Sequence, residues 1–404
     1  MVAVDSEATR LAPFCYENWE AATAGSPSRG AREHPLFTDS LITGPSITAG
    51  APVVGYGPYH LFNAIADGNC TRPAIILRVE EHRGFQLDPS WHRKLNTDRY
   101  HGGDLADELA ALVSLCLGIR AKSGELTRVF DLDADDDPRG QPLSLTRGPD
   151  PVVPPTRPKL ILPQALPPNE HSLDSMAPLA WLPSLAPEQA VALVRAARSY
   201  QEAMWIAEGT PETAWLLFVS ALEIAANKWR AEDGDPVDRL RASRPGAEVE
   251  RLLRERGGDN LDDFVAQVAA LLAPYMGATR KFIDFVITFL PAPPAARPAE
   301  FYQLSWRVPD MKKSLSKVYE YRSLALHGGI PFPAPMCESP HRHNEIAAET
   351  PGTAYSALGG VWAKKDLPMY LHTFEYLVRR ALLKWWQSMI EQEGQPPVDE
   401  ADHE

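Results

Sequence analysis

Cysteine is scarce in this 404-residue chain: four residues, Cys15, Cys70, Cys116 and Cys337, with no C-x-x-C pair. That scatter speaks against a disulfide framework and a paired-cysteine zinc site, and suits reduced thiols in a cytosol. Long hydrophobic runs are lacking too. The longest, Ala214 to Ala226, is interrupted by Ser220 and Glu223, and it falls short of the ~20 residues that span a bilayer. It reads as a buried core helix. The opening stretch carries Asp5, Glu7 and Arg10 but no apolar h-region, so a cytoplasmic protein without membrane contact is expected.

Positive charge is in deficit, with 40 Lys and Arg against 53 Asp and Glu, a net charge of −13. Such a chain has no overall attraction for a phosphate backbone, and any nucleic-acid site must be a local basic island. One island lies between Gln303 and Phe332, where Arg307, Lys312, Lys313, Lys317 and Arg322 stand against Asp310 and Glu320. A solvated helix face accounts for that charge equally well.

Several familiar motifs are missing. Gly55-Tyr56-Gly57 lacks the third glycine of a dinucleotide fingerprint. Asp131-Leu132-Asp133-Ala134-Asp135 begins as a calcium loop does. However, Asp136 stands where glycine is needed and Pro142 where the coordinating glutamate belongs, so it reads as an acidic turn. No G-x-S-x-G, P-loop or H-E-x-x-H occurs. His341-Arg342-His343, near Cys337 and Glu338, has no second ligand pair and is expected to be an exposed polar loop. No metal and no cofactor are expected.

What is present divides the chain in two. Residues 1–35, rich in Ala, Gly, Ser and Pro, are expected to form an irregular lead-in. Residues 36–169 read as a small α+β domain. Ala74 to Val79 is rich in β-branched residues and predicts a strand, and shorter strands are expected at Thr127–Leu132 and Pro142–Thr146. Asp104 caps a helix whose apolar face is Leu105, Leu109, Leu112, Val113, Cys116 and Leu117. Prolines crowd Pro149–Pro168 and bar any helix from crossing it, with Lys159–Leu162 as one more strand. The boundary is placed near residue 170.

Residues 170–392 read as a mainly α-helical bundle, followed by a polar tail at 393–404. Helices are expected at Pro187–Glu208 and Pro211–Trp229, the latter apolar on nearly all sides and therefore central. Asp259–Leu290 is expected to break near Pro274 or Gly277. Asp310–His327 stops at Gly328-Gly329, and Leu367–Glu391 closes the bundle. Glu223, mid-helix among apolar residues, needs a cationic partner; Arg322, Arg280 and Lys281 are the candidates.

The most suggestive segment is Lys317-Val318-Tyr319-Glu320-Tyr321-Arg322-Ser323-Leu324-Ala325-Leu326-His327-Gly328-Gly329. A guanidinium is always charged and forks onto a phosphate. An imidazole exchanges a proton at neutral pH. Together they suit activation of a ribose 2′-hydroxyl on RNA without metal. On an unbroken helix two residues five apart lie about 140° apart, so the glycines after His327 are expected to loosen the last turn and bring the imidazole towards Arg322. A basic residue in a last helical turn is equally expected from the helix dipole.

Ser220-Ala221-Leu222-Glu223-Ile224, Thr279-Arg280-Lys281-Phe282 and Tyr321-Arg322-Ser323-Leu324-Ala325-Leu326-His327-Gly328-Gly329 together resemble HEPN domains, specifically the Apea-like group of defence-associated bacterial proteins. The resemblance covers about residues 180–390. It implies a helical domain that homodimerises, so that two Arg-x4-His motifs meet in one composite endoribonuclease site of the defence or toxin type. It further implies RNA as partner, Arg322 as phosphate ligand and His327 as proton-transfer residue. Tyr321, Ser323 and Glu223 would support them, with Lys313, Lys317 and Arg280 binding RNA. Ser323 stands where the family often has Asn, Asp or His. The alternative is a non-catalytic HEPN module in which Arg322 and His327 serve only binding or assembly. The resemblance does not reach the N-terminal part, for which a sensing or regulatory role, with an unknown regulatory partner, follows from architecture alone.

Overall fold

The computed structural model describes residues 12–44, 54–63, 74–83, 97, 100–130, 139–143, 160–229, 236–242, 244–256, 261–272, 277–343 and 345–393. The acidic turn at Asp131–Asp135, most of the proline-rich stretch and the tail beyond Glu393 lie outside these residues.

The N-terminal part is α+β. Helix α1 (Phe14–Thr23) precedes strands β1 (Ala31–Phe37), β2 (Leu41–Thr43), β3 (Val54–Tyr56), β4 (Tyr59–Asn63) and β5 (Ala74–Glu80). Helix α2 (Leu105–Leu117) and the short strands β6 (Lys122–Ser123), β7 (Arg128–Phe130) and β8 (Gln141–Pro142) follow. The main sheet runs β3-β4-β5-β1-β7-β8, with β6 also pairing with β1. β5 forms where a strand was expected, burying Ile75, Leu77 and Val79 on one face. Strand β9 (Glu170–Ser172) pairs in parallel with β2.

Helix α2 forms where its sequence directs. Asp104 accepts from the Ala106 and Asp107 amides, the Asp107 carboxylate answers in a reciprocal capping box, and Gly118 closes the helix at φ 69°. That glycine is required twice over, because a Cβ there would lie 2.9 Å from the Arg379 guanidinium. Glu108 points inward. It accepts from the Phe14 and Cys15 amides at 3.0 and 2.7 Å and from His101 Nε2 at 2.6 Å, fixing the start of α1 against its positive helix end.

The chain then enters 3₁₀ turns at Leu173–Ser184 and the helices α3 (Pro187–Ile206), α4 (Pro211–Trp229), α5 (Pro236–Ala242), α6 (Arg244–Arg256), α7 (Leu261–Leu272), α8 (Ala278–Thr288) and α9 (Val308–Gly328). Two small hairpins, β10 (Arg342–His343) with β11 (Ile346–Ala347) and β12 (Tyr355–Ala357) with β13 (Gly360–Trp362), lead to α10 (Leu371–Glu393). As its all-round apolar sequence requires, α4 is central and packs on α3, α8, α9 and α10. Its Trp215 is stacked between Phe332 and Phe374, with ring centres 5.2 and 4.7 Å away. Among the described residues no helix is long and apolar enough to cross a membrane.

Three expectations need correction. The supposed lead-in holds α1 and most of β1, because Glu108 and the apolar Cys15, Tyr16 and Trp19 dock α1 into the core. Residues 160–162 are not a strand: the consecutive Ile161 and Leu162 amides both donate to the one Glu208 carboxylate, at 2.7 and 3.0 Å. Of the strand expected at 142–146, Pro142 belongs to β8, and the residues beyond Leu143 lie outside those described. Residue 170 is no break in packing either, since one hydrophobic core runs from Ala12 to Met389. Arg379 of α10 donates to the Leu115 and Cys116 carbonyls at the end of α2, and Tyr16 Oη to the Leu185 carbonyl at 2.8 Å. A second small core, Leu240, Val265 and Ala269, belongs to α5–α7; α7 lies within the helical stretch expected at 259–290, whereas α5 and α6 were not foreseen.

Candidate functional site

The segment 317–329 is the last half of α9, and Glu223 sits on the facing turn of α4. Tyr319 and Arg322, three residues apart, share one face of α9 and close on the two oxygens of that carboxylate. Tyr319 Oη donates to Glu223 Oε1 at 2.8 Å, and Arg322 Nη2 donates to Oε2 at 2.8 Å. The Arg322 side chain is 21% exposed and that of Glu223 17%, so the pair is largely but not wholly withdrawn from water. The guanidinium carbon also lies 5.5 Å from the centre of the Tyr319 ring. Phe282 of α8 braces that ring from another side, at 5.2 Å. Burial, followed by the adjacent Glu223 carboxylate, pushes the Tyr319 hydroxyl up to about 12, so it remains a donor at neutral pH.

Arg322 therefore answers the question of Glu223's partner. Arg280 is 76% exposed and lies 3.5 Å from Asp284 on its own helix. No ion pair joins Lys281 to Glu223. The Arg322 Nε is buried and bonds to nothing among the described residues, so the guanidinium has donor capacity left over.

His327 is exposed in the last turn of α9. The expected loosening of that turn does not occur. The helix continues through Gly328, and Gly329 closes it at φ 64°, its amide reaching the Leu324 carbonyl. Because this cap satisfies the helix end without unwinding it, the imidazole stays on a different side of α9 from Arg322, and no hydrogen bond joins the two. Leu326 and Ile330 beside it are 51% and 55% exposed, an apolar margin around the imidazole.

The other predicted residues separate. Tyr321 is buried on the far side of α9, donating to the Asp366 carbonyl at 2.8 Å, and burial raises its hydroxyl. Ser323 is half-buried and makes no side-chain hydrogen bond among the described residues. Lys317 pairs with Glu320 at 3.0 Å and lies 3.7 Å from Asp366. Lys313, 82% exposed, lies 3.8 Å from Asp310. The basic island is thus partly neutralised by its own neighbours. Tyr319 was not singled out from the sequence, although its three-residue offset from Arg322 was the available signal.

The stretch around His341 folds as β10 and its approach. His341 Nε2 bonds to Tyr355 Oη at 2.7 Å and Cys337 is buried. Among the described residues no group of three metal-ligating side chains is present.

The chain matches no known protein family, no curated protein sequence and no solved structure.

Proposed function

We propose that the helical part is HEPN-like and that the end of α9 is half of a metal-independent endoribonuclease site, of the defence or toxin type, completed by a second copy of the chain. The observation that carries this reading is the disposition of the two motif residues. Arg322 is held at a fixed angle by Glu223 and Tyr319 with donors to spare, while His327 stands open to solvent on another side of the helix. Within one chain the two side chains leave α9 on different sides. Across a two-fold interface the Arg322 of one copy faces the His327 of the other, and the apolar Leu326 and Ile330 supply surface to bury there.

In that arrangement Arg322 binds the scissile phosphate and His327 takes the proton from the ribose 2′-hydroxyl. The hydroxyl oxygen attacks its own phosphorus and the P–O bond to the next ribose breaks. A 2′,3′-cyclic phosphate remains on one fragment, and the leaving oxygen collects a proton to give a 5′-hydroxyl on the other. The test is complementation. Arg322→Ala and His327→Ala proteins, each inactive alone, regain part of wild-type cleavage when mixed and allowed to exchange subunits. If the mixture stays inactive while both proteins dimerise and exchange, the composite site is refuted.

The ion pair itself favours a second reading, a HEPN-like binding or assembly module. An Arg–Glu pair that fastens α9 to α4 needs no catalytic role. Under that reading wild-type protein cuts no RNA under any condition that permits dimerisation.

A further inference from the structure

A cavity of about 320 Å³ opens where α10 begins, lined by none of the α9 motif residues. That is the lower end of the roughly 300–1,000 Å³ usual for small-molecule sites. Pro163, Pro294 and Pro298 are among its lining residues, and Tyr376 adds an aromatic side chain. The tyrosine is fixed in place, its Oη donating to the Ala292 carbonyl at 3.0 Å and its ring set edge-on to Trp306.

The polar groups of the lining are unusual in what they leave over. Gln164 donates from Nε2 to Glu375 Oε2 at 2.7 Å, which fixes which way its amide points, because the reverse would set oxygen against carboxylate. Its Oε1 is then buried with no hydrogen-bond partner. His372 donates from Nε2 to the Ala348 carbonyl at 2.8 Å, and burial holds its pKa at about 4. The ring is therefore neutral, and its Nδ1 is a second acceptor. Exposed Arg342 and Glu345 add opposite chemistries to the lining, a guanidinium and a carboxylate, neither with an ion pair among the described residues. The other carboxylate of the lining, Glu349, is already consumed by Arg297 and the Leu304 amide.

A matching ligand has a planar apolar face for the prolines and tyrosine, an N–H donor for His372 Nδ1, an anionic group for Arg342 and hydroxyls for Glu345. We propose that this pocket binds a single ribonucleotide, with its base against the proline and tyrosine walls, its ribose at Glu345 and its phosphate at Arg342. An exocyclic amine or ring N–H of the base answers His372 Nδ1. Carboxylates accept from ribose hydroxyls, guanidiniums fork onto phosphates, and bases stack on aromatic faces without regard to sequence. The site uses none of the α9 motif residues, so it stands or falls separately from the ribonuclease reading.

The test is calorimetric titration of the full chain with AMP, GMP, CMP and UMP in turn. At least one binds with Kd below about 1 mM. Ala296→Trp, an exposed lining position where an indole fills the mouth, abolishes that binding while the far-UV circular dichroism and Tm stay as in wild type. Arg342→Ala weakens the monophosphate by about tenfold and leaves the corresponding nucleoside unchanged. His327→Ala leaves binding intact. A short single-stranded oligoribonucleotide displaces the monophosphate if the natural ligand is a strand end, and leaves it in place if it is the free nucleotide; either supports the pocket. Absence of binding by all four monophosphates, or binding that survives Ala296→Trp, overturns the proposal.

Discussion

Arg322 of α9 donates to Glu223 of α4 at 2.8 Å, and the second oxygen of the same carboxylate is taken by Tyr319 from one turn earlier. One acid thus sets the direction of the guanidinium and ties two helices of the bundle. Replacing Glu223 by Ala leaves two donors, one charged, without their acceptor in a mostly buried place. Urea unfolding is expected to register a loss of about 1–3 kcal/mol. Glu223→Gln, which can still accept from Tyr319, loses less. Wild-type stability in Glu223→Ala would mean that the pair contributes nothing to the fold.

A second prediction concerns pH. The His372 ring is held neutral in the folded protein, with burial bringing its pKa to about 4, whereas an unfolded histidine titrates near about 6.5. Between those values the unfolded chain takes up a proton that the folded chain refuses. Stability therefore rises with pH across this window, and falls as the pH drops from about 6.5 to about 4. The contribution reaches up to ~3 kcal/mol and levels off below the lower value. Urea midpoints measured across this range should fall more steeply for wild type than for His372→Gln. Parallel curves would show that His372 is not the group responsible.

The apolar margin of His327 makes a third. Leu326→Asp with Ile330→Asp places charge on two side chains that are 51% and 55% exposed, so the monomer fold should survive. Sedimentation is expected to report monomer where wild type is dimer, with cleavage reduced at least about tenfold because the two halves of the site part. A dimer that persists in the double variant would place the interface elsewhere.

Much of this architecture can be read from local chemistry. The Asp104 cap, the proline and acid that start α4 and the glycine pair that ends α9 are signals between near neighbours, and each element begins or ends where those residues stand. The strand β5 is equally plain, because its β-branched residues alternate in burial. What escapes is whatever depends on distant partners. Helix α1 follows a proline with no capping side chain and is held by Glu108, more than ninety residues away. Helix α6 carries mostly Arg and Glu, and its Leu253 packs on the small second core and not on the main one. The proline-rich stretch looks like a boundary by composition, yet Arg379 and Tyr16 pack across it. At the site, Glu223's need for a cation was legible. That Arg322 would meet it, and that Lys317 would lie beside Asp366, depends on how α9 is rotated against α4 and α10.

The most direct measurement is cleavage of end-labelled single-stranded RNA and tRNA by purified protein in EDTA, beside His327→Ala. The account predicts cutting by wild type that leaves 2′,3′-cyclic phosphate and 5′-hydroxyl ends. In the variant the rate falls at least about a hundredfold, as loss of a general base entails. Cleavage by His327→Ala at the wild-type rate, or cutting that requires added metal, would contradict it.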